Sequence, residues 1–280
     1  SGDTTDLQVK QSFRNAVCSN HSATHLMHES LRIVLGDHVA QRGSLNDVDR
    51  IRFDFSHPKP LTEDELQRVD YEVNCYIRQN SAITTRSMTP DEAKEIGARA
   101  LFGEKYGEEV RVVSMGRREN SGLGIDRGTY SLELCGGTHV KRTGDIGFFK
   151  IISETASASG VRRIEAVTGN EALNLVLNQG KDLKAISEML RVSSSDLVGR
   201  VGSLVENKKE LEIELARLKK QLIVGSREDK TKSTQVLEKS NISFFGRILN
   251  DISTKDLRSI LDQQKQQIGS GIVLLIGNSG

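Results

Sequence analysis

Three histidines stand close together in the run His21-Ser22-Ala23-Thr24-His25-Leu26-Met27-His28. His21 and His25 are four residues apart, so on a helix both imidazoles project from one face about one turn apart. That is the spacing at which two helical side chains hold one metal ion. Zinc proteases use the same pair with a glutamate after the first histidine as general base. Ser22 stands at that position here, so peptide hydrolysis of that kind lacks its base. A second half-site is Cys135-Gly136-Gly137-Thr138-His139, a thiolate and an imidazole four residues apart with two glycines that let the chain wrap around a cation. Taken alone, the histidine pair is ordinary polar helix chemistry. With the second half-site, His21, His25, Cys135 and His139 form a set suited to zinc.

Elements must bring these residues together. Residues 20–35 read as a helix, with Ser19 or Asn20 as N-cap and Gly36 as its stop. The alternation over 50–55 predicts a half-buried strand. Residues 61–79 open with Thr62-Glu63-Asp64-Glu65, which resembles a capping box, and predict a second helix. A further helix is expected from Pro90 through Ala100, then strands over 110–115, 130–134, 148–153 and 162–167. After Gly169 the texture changes: no proline follows, and Leu204, Lys208, Leu211, Leu215, Leu218 and Leu222 alternate spacings of four and three, a heptad seam. The turn at 192–196 predicts two helices packed as a hairpin. Residues 226–234 read as a polar linker, and strands at 242–248 and 272–276 flank a helix at 254–267. The fold class expected is α+β: a mixed α/β domain over 1–169 that holds the zinc site, a helical hairpin or coiled coil over 170–225, and a small α/β domain over 226–280. A chain stopping directly after a buried-looking strand is expected to be a fragment of a longer protein.

Composition narrows the function classes. The chain has 280 residues, of which 36% are hydrophobic and 28% charged, enough to bury a core. No run approaches the roughly 18 apolar residues of a membrane span, and the start lacks the layout of a signal or transit peptide. Lysine and arginine total 39 against 38 acidic residues, so nucleic-acid affinity must come from local patches. With no Trp, eight Phe and four Tyr, a base-stacking surface is not expected. Cys18, Cys75 and Cys135 are too few and too scattered for a disulfide framework, which favours a reducing cytoplasm.

The histidine run, residues 34–44, Arg52-Phe53-Asp54-Phe55-Ser56, Glu133 through Val140 and Gly160 through Gly169 together resemble the editing domain of alanyl-tRNA synthetases. The resemblance runs in order along nearly the whole chain. Threonyl-tRNA synthetases have a related domain with the same two half-sites; the Gln41-Arg42-Gly43-Ser44 run and the Gly160-Val161-Arg162-Arg163-Ile164-Glu165 segment favour alanine. The heptad hairpin and the last segment look like the family's linker and the beginning of its C-terminal dimerisation and tRNA-binding domain. The resemblance implies hydrolysis of serine, and less critically glycine, from alanine tRNA, with zinc as cofactor. It also implies contact with the tRNA acceptor end and homodimerisation of a full-length protein through the terminal domain. Domains for aminoacylation and anticodon-side contacts are absent, so neither ATP binding nor charging of tRNA is expected of this chain.

Within that resemblance Thr24 matches the threonine that recognises the substrate hydroxyl, and Gln41 a glutamine lining the same pocket. Arg162 and Arg163 point to opposite faces of a strand, so at most one enters the pocket. Arg162 is favoured, for the terminal nucleotide or the reaction centre; its alternative is a surface ion pair with Glu165. Lys141, Arg142 and Lys150 are candidates for tRNA phosphates, with a solvated face as the alternative. Cys18 and Cys75 read as idle thiols, and His38 and His57 as packing or capping residues; His28 stands near enough to support the ligands. Residues 115–130 are longer than the family's usual approach to the cysteine motif and read as a rim loop. A structural zinc in a tRNA-binding or dimerisation piece, and a threonyl-type editor, are the competing readings.

Overall fold

A computed structural model of the protein describes residues 8–99, 107–118, 128–225, 243–250 and 254–278. The expected 226–234 linker and most of the 115–130 rim loop lie outside the described residues. The chain divides into two compact units, residues 1–183 and 184–280.

The first unit is built around helix α1 (Gln11–Leu35), which has no exposed residue between Ala16 and Leu31. It begins well before the expected start, because nothing between Lys10 and Asn20 breaks a helix: no Gly or Pro intervenes. Lys10 is the N-cap and gives no side-chain hydrogen bond. Asn20 is only 2% exposed and serves tertiary structure instead of capping: its Nδ2 donates to the Asp47 carbonyl at 2.7 Å and its Oδ1 accepts from Thr168 at 2.7 Å. Strands β1 (Gln41–Asn46) and β2 (Ile51–Ser56) follow, then α2 (Glu63–Gln79), whose start is the Thr62–Glu65 capping box.

Strand β3 (Thr84–Met88) leads to α3 (Pro90–Glu95), shorter than expected: Ile96 caps it and Gly97, at φ +81°, turns the chain out of the helix. Arg99 then bridges Glu133 in a parallel pairing. Strands β4 (Val110–Arg117), β5 (Thr129–Leu134), β6 (Phe149–Ala158) and β7 (Val161–Thr168) complete two antiparallel sheets, ordered β1-β2-β7-β6 and β3-β4-β5. Neither β1 nor β3 was expected; both are short, polar and largely exposed, so they carry no apolar alternation to announce them. Helix α1 packs on both sheets and on α2. Ala23, Leu26, Met27, Leu31, Phe53, Phe55 and Ile164 are fully buried between them.

Beyond β7, α4 (Gly169–Leu190) and α5 (Leu197–Gly225) are separated by a turn in which the Ser193 hydroxyl donates to Asp196 at 2.6 Å. The seam residues Leu204, Leu211, Leu215 and Leu218 stand exposed on α5. In the second unit, β8 (Ser243–Asn250) and β9 (Gly271–Asn278) pair in parallel, joined by α6 (Thr254–Ile268), the connection that parallel strands require. The α+β class is as the sequence predicts. Among the described residues, no helix is long and apolar enough to cross a membrane.

Candidate metal centre

The inner surface of α1 is polar where it faces the β5 end. Ser22, Thr24, His25, His28, Glu29 and Ser30 are all buried, and burial of polar groups is tolerated only where partners are supplied. From the other side, β5 ends at Leu134 and delivers Cys135 and the loop to His139. One ligand atom from each of His21, His25, Cys135 and His139 lies within 4.8 Å of all the others. Cys135 Sγ is 3.4 Å from His21 Nε2 and 3.3 Å from His139 Nε2. Bonds of about 2.0–2.1 Å to nitrogen and 2.3 Å to sulfur give tetrahedral edges of about 3.3–3.6 Å, so these two edges suit a zinc ion. Gly137 permits this closeness: a Cβ there would stand 2.2 Å from the His21 ring.

Neighbouring groups fix the tautomers of two of the three ligand imidazoles. Ser22 Oγ donates to the Cys18 carbonyl at 2.8 Å, so it accepts from His139 Nδ1 at 3.2 Å. The Nδ1 proton leaves His139 Nε2 as a lone pair facing Cys135. His25 Nδ1 donates to Glu133 Oε2 at 2.5 Å, while its Nε2 is buried with no hydrogen-bond partner. An orphaned, buried nitrogen beside a thiol is what a metal ligand looks like when its lone pair is reserved. His28 Nδ1 takes the other Glu133 oxygen at 2.8 Å, and its ring packs on Phe53.

The electrostatics agree. Burial would raise the Cys135 thiol, but the His139, His21 and His25 imidazoles gathered around it outweigh that and pull it down to about 3, favouring thiolate. Burial works against charge on His25, yet the Glu133 carboxylate and Cys135 hold its pKa up at about 10. The field that would keep a proton on His25 Nε2 would equally hold a metal cation there. Glu133 is only 2% exposed; burial favours its neutral form, but the His28 and His25 imidazoles keep it well below the usual carboxylate range. A divalent ion on one thiolate and three neutral imidazoles leaves a single positive charge, which the Glu133 carboxylate cancels. Glu133 and Ser22 are the supporting residues that spacing alone did not single out as such. The available signal was their position, next but one before Cys135 and directly after His21.

The remaining site candidates fall into two places. Thr24 Oγ1 lies 2.9 Å from the Asn20 carbonyl and 2.6 Å from Asn46 Oδ1, at the far end of β1. Gln41 and Arg162 instead share one row across the sheet, both in register with Phe55. Asn46 pairs with Ile51, so four residues of β2, about 13 Å, separate the two rows. Arg162 donates to both oxygens of Glu154, through Nε and, at 2.8 Å, through Nη2; its partner is Glu154 and not Glu165, which pairs with Arg50 at 3.1 Å. Arg163, on the opposite face, is bidentate to Asp54 at 2.6 and 2.8 Å. Lys150 pairs with Asp70 and Arg142 hydrogen-bonds Asn80, whereas Lys141 is exposed.

Residues 110–165 match the family model of the threonyl and alanyl tRNA synthetase second additional domain, a stretch that carries Glu133, Cys135, His139 and Arg162. The chain is 52% identical over 279 residues to an alanine–tRNA ligase of Dinoroseobacter shibae, covering 100% of this chain and 32% of that protein. An alanine–tRNA ligase of Parvibaculum lavamentivorans is 51% identical over 99% of this chain and 31% of its own length. One from Cereibacter sphaeroides is 49% identical over 100% of this chain and 31% of its own length. The chain thus spans about a third of the length of the curated relatives it matches.

Proposed function

From a chain homologous along its whole length to part of the alanine–tRNA ligases, we propose an editing module that hydrolyses the ester joining serine or glycine to the end of alanine tRNA. The observation that carries this reading is the convergence of His21, His25, Cys135 and His139, with Nδ1 of His25 and of His139 committed to Glu133 and Ser22 so that their Nε2 atoms are left for a metal. Bound there, zinc would supply positive charge for the ester carbonyl or a water, or hold the substrate amino group.

The chain's own residues account for selectivity. The Thr24 hydroxyl has one proton, which is taken by the Asn20 carbonyl or Asn46 Oδ1, so its remaining lone pair is an acceptor. A serine hydroxyl donates to it; the methyl of alanine would leave it unmatched, the arrangement by which a site rejects an analogue lacking a hydroxyl. Glu154 occupies Nε and Nη2 of Arg162 and leaves Nη1 for a substrate. The Gln41–Arg162 row, about 13 Å along the sheet from Asn46, suits the terminal nucleotide while Thr24 reads the amino acid. Residues 1–169 would form the editing domain, 170–225 a helical linker, and 226–280 the beginning of a domain for dimerisation and tRNA contact. The setting would be the cytoplasm.

The test is hydrolysis of Ser-tRNA and Ala-tRNA, both on alanine tRNA, with and without a chelator. Rapid, chelator-sensitive loss of serine with alanine retained supports the reading. A second reading rests on the ligand count: four protein ligands fill a tetrahedral zinc and leave no open position, as in structural sites. Zinc bound, fold intact and both esters untouched would favour that structural role.

A further inference from the structure

The end of β4 away from Cys135 has a pocket of its own. It is a cavity of about 730 Å³ bounded by α2 and β4, with Arg78, Arg117 and Arg118 on its walls. Val112 pairs with Leu134, next to Cys135, whereas Arg117 pairs with Thr129. Five residues of β4, about 16 Å, therefore separate this pocket from the ligand loop.

The backbone here is held with unusual care for an exposed strand end. The Gln79 amide donates to the Arg117 carbonyl at 2.7 Å and accepts from the Arg117 N–H at 2.7 Å. Gly116 precedes it at φ +72°, where a Cβ would stand 2.8 Å from the Tyr76 ring, and Tyr76 stacks on Tyr130. The result fixes the backbone of Arg117 while leaving its guanidinium exposed, with no carboxylate partner among the described residues. Arg78, one residue before the clamping Gln79, donates to Cys75 Sγ at 3.1 Å and likewise pairs with no described carboxylate. Arg118 is anchored on buried Glu29. Among the described residues that line the cavity, Glu72 is the one acid against three arginines.

We propose that this pocket is a phosphate site that grips the backbone of an RNA strand through Arg78 and Arg117. Guanidinium groups match phosphate oxygens in pairs, and such contacts fix the register of an RNA without reading its sequence. A chain with a formal charge of only +1 must concentrate its affinity in local patches, and this is a built one. A protein partner fits less well, because the cavity offers no deep apolar anchor. The assignment rests on the reading that the chain handles tRNA, but not on the ester chemistry.

Uncharged alanine tRNA is titrated against the full chain over a salt series, with anisotropy as readout. Arg78→Gln and Arg117→Gln should each weaken binding about tenfold at low salt. The double variant should also flatten the slope of log affinity against log salt by about 1–2, one phosphate contact being worth about 0.7–0.9. Gln79→Ala, which releases the Arg117 backbone, should show a smaller loss. Lys94→Gln on α3, an equal change of charge elsewhere, should bind like the parent, and zinc content should be the same throughout. Wild-type affinity and slope in the double variant would overturn the assignment, as would a parent chain that does not bind tRNA or is emptied more readily by polyglutamate than by RNA. Binding through these arginines without serine hydrolysis would retire the editing reading and leave this site standing.

Discussion

Two histidine clusters in the first unit resemble each other in composition and differ in what surrounds them. At the centre of α1, His21, His25 and His139 face a cysteine, and Ser22 and Glu133 occupy the outer nitrogens of two of the rings. At the β1–β2 end, His38 and His57 face each other: His38 Nε2 lies 2.8 Å from His57 Nδ1, with the rings stacked 5.1 Å apart. In that second pair one imidazole uses the other's lone pair, and no described thiol or carboxylate hydrogen-bonds the pair. Burial and the neighbouring His38 hold the His57 pKa down. Grouped imidazoles are set up to take a metal only when outside donors and acceptors commit the outer nitrogens and leave the inner ones free, as at His25 and His139.

The sharpest break of this contrast is removal of a ligand. Cys135→Ala or His25→Ala should abolish stoichiometric zinc after dialysis, and full metal content in either variant would sink the ligand assignment. Thr24→Val should come next, keeping the metal but losing most serine hydrolysis, by about 10²-fold or more if the hydroxyl is read as proposed. Metal analysis alongside single-turnover deacylation separates the two effects. Glu133→Gln retains shape and removes the compensating charge; zinc affinity should fall about 10–100-fold in a chelator competition. The cobalt-substituted variant should still show sulfur-to-metal absorption, since the ligands themselves remain. Gly137→Ala pushes a methyl into the His21 ring and should cost about 1–3 kcal/mol of stability together with weaker metal binding, read by thermal melts with and without zinc.

The smallest effect belongs to the other cluster. His57→Phe should leave zinc content unchanged and alter only the acid limb of stability. A histidine with a depressed folded pKa is held neutral; its contribution is present above the unfolded value of about 6.5 and is lost as pH falls from there through the folded pKa. The variant should therefore lose less stability between neutral pH and about pH 5 than the parent. An identical pH profile would show that His57 does not titrate with unfolding.

Some of this was legible from residue types. The two half-sites, the capping box at Thr62 and the stop at Gly36 all rest on local chemistry that a short window displays. The start of α1 is hidden from local pattern because Asn20 looks like a cap, whereas its amide is engaged with Asp47 and Thr168, residues far along the chain. The polar strands β1 and β3 carry no apolar alternation, and they form because β2 and β4 offer them edges to pair with.

Local pattern is enough to single out the candidate donor set, since histidine and cysteine at those spacings are apt to converge on one ion, and to give the α+β character, since periodicity is local. Tertiary structure alone decided which nitrogens are free to coordinate, which acid each arginine holds, and that Gln41 stands in the row of Arg162 and away from Thr24. Those facts depend on hydrogen bonds between residues up to 117 positions apart. No local pattern encodes them, because a tautomer or an ion pair is fixed by whichever group the completed fold places within about 3 Å.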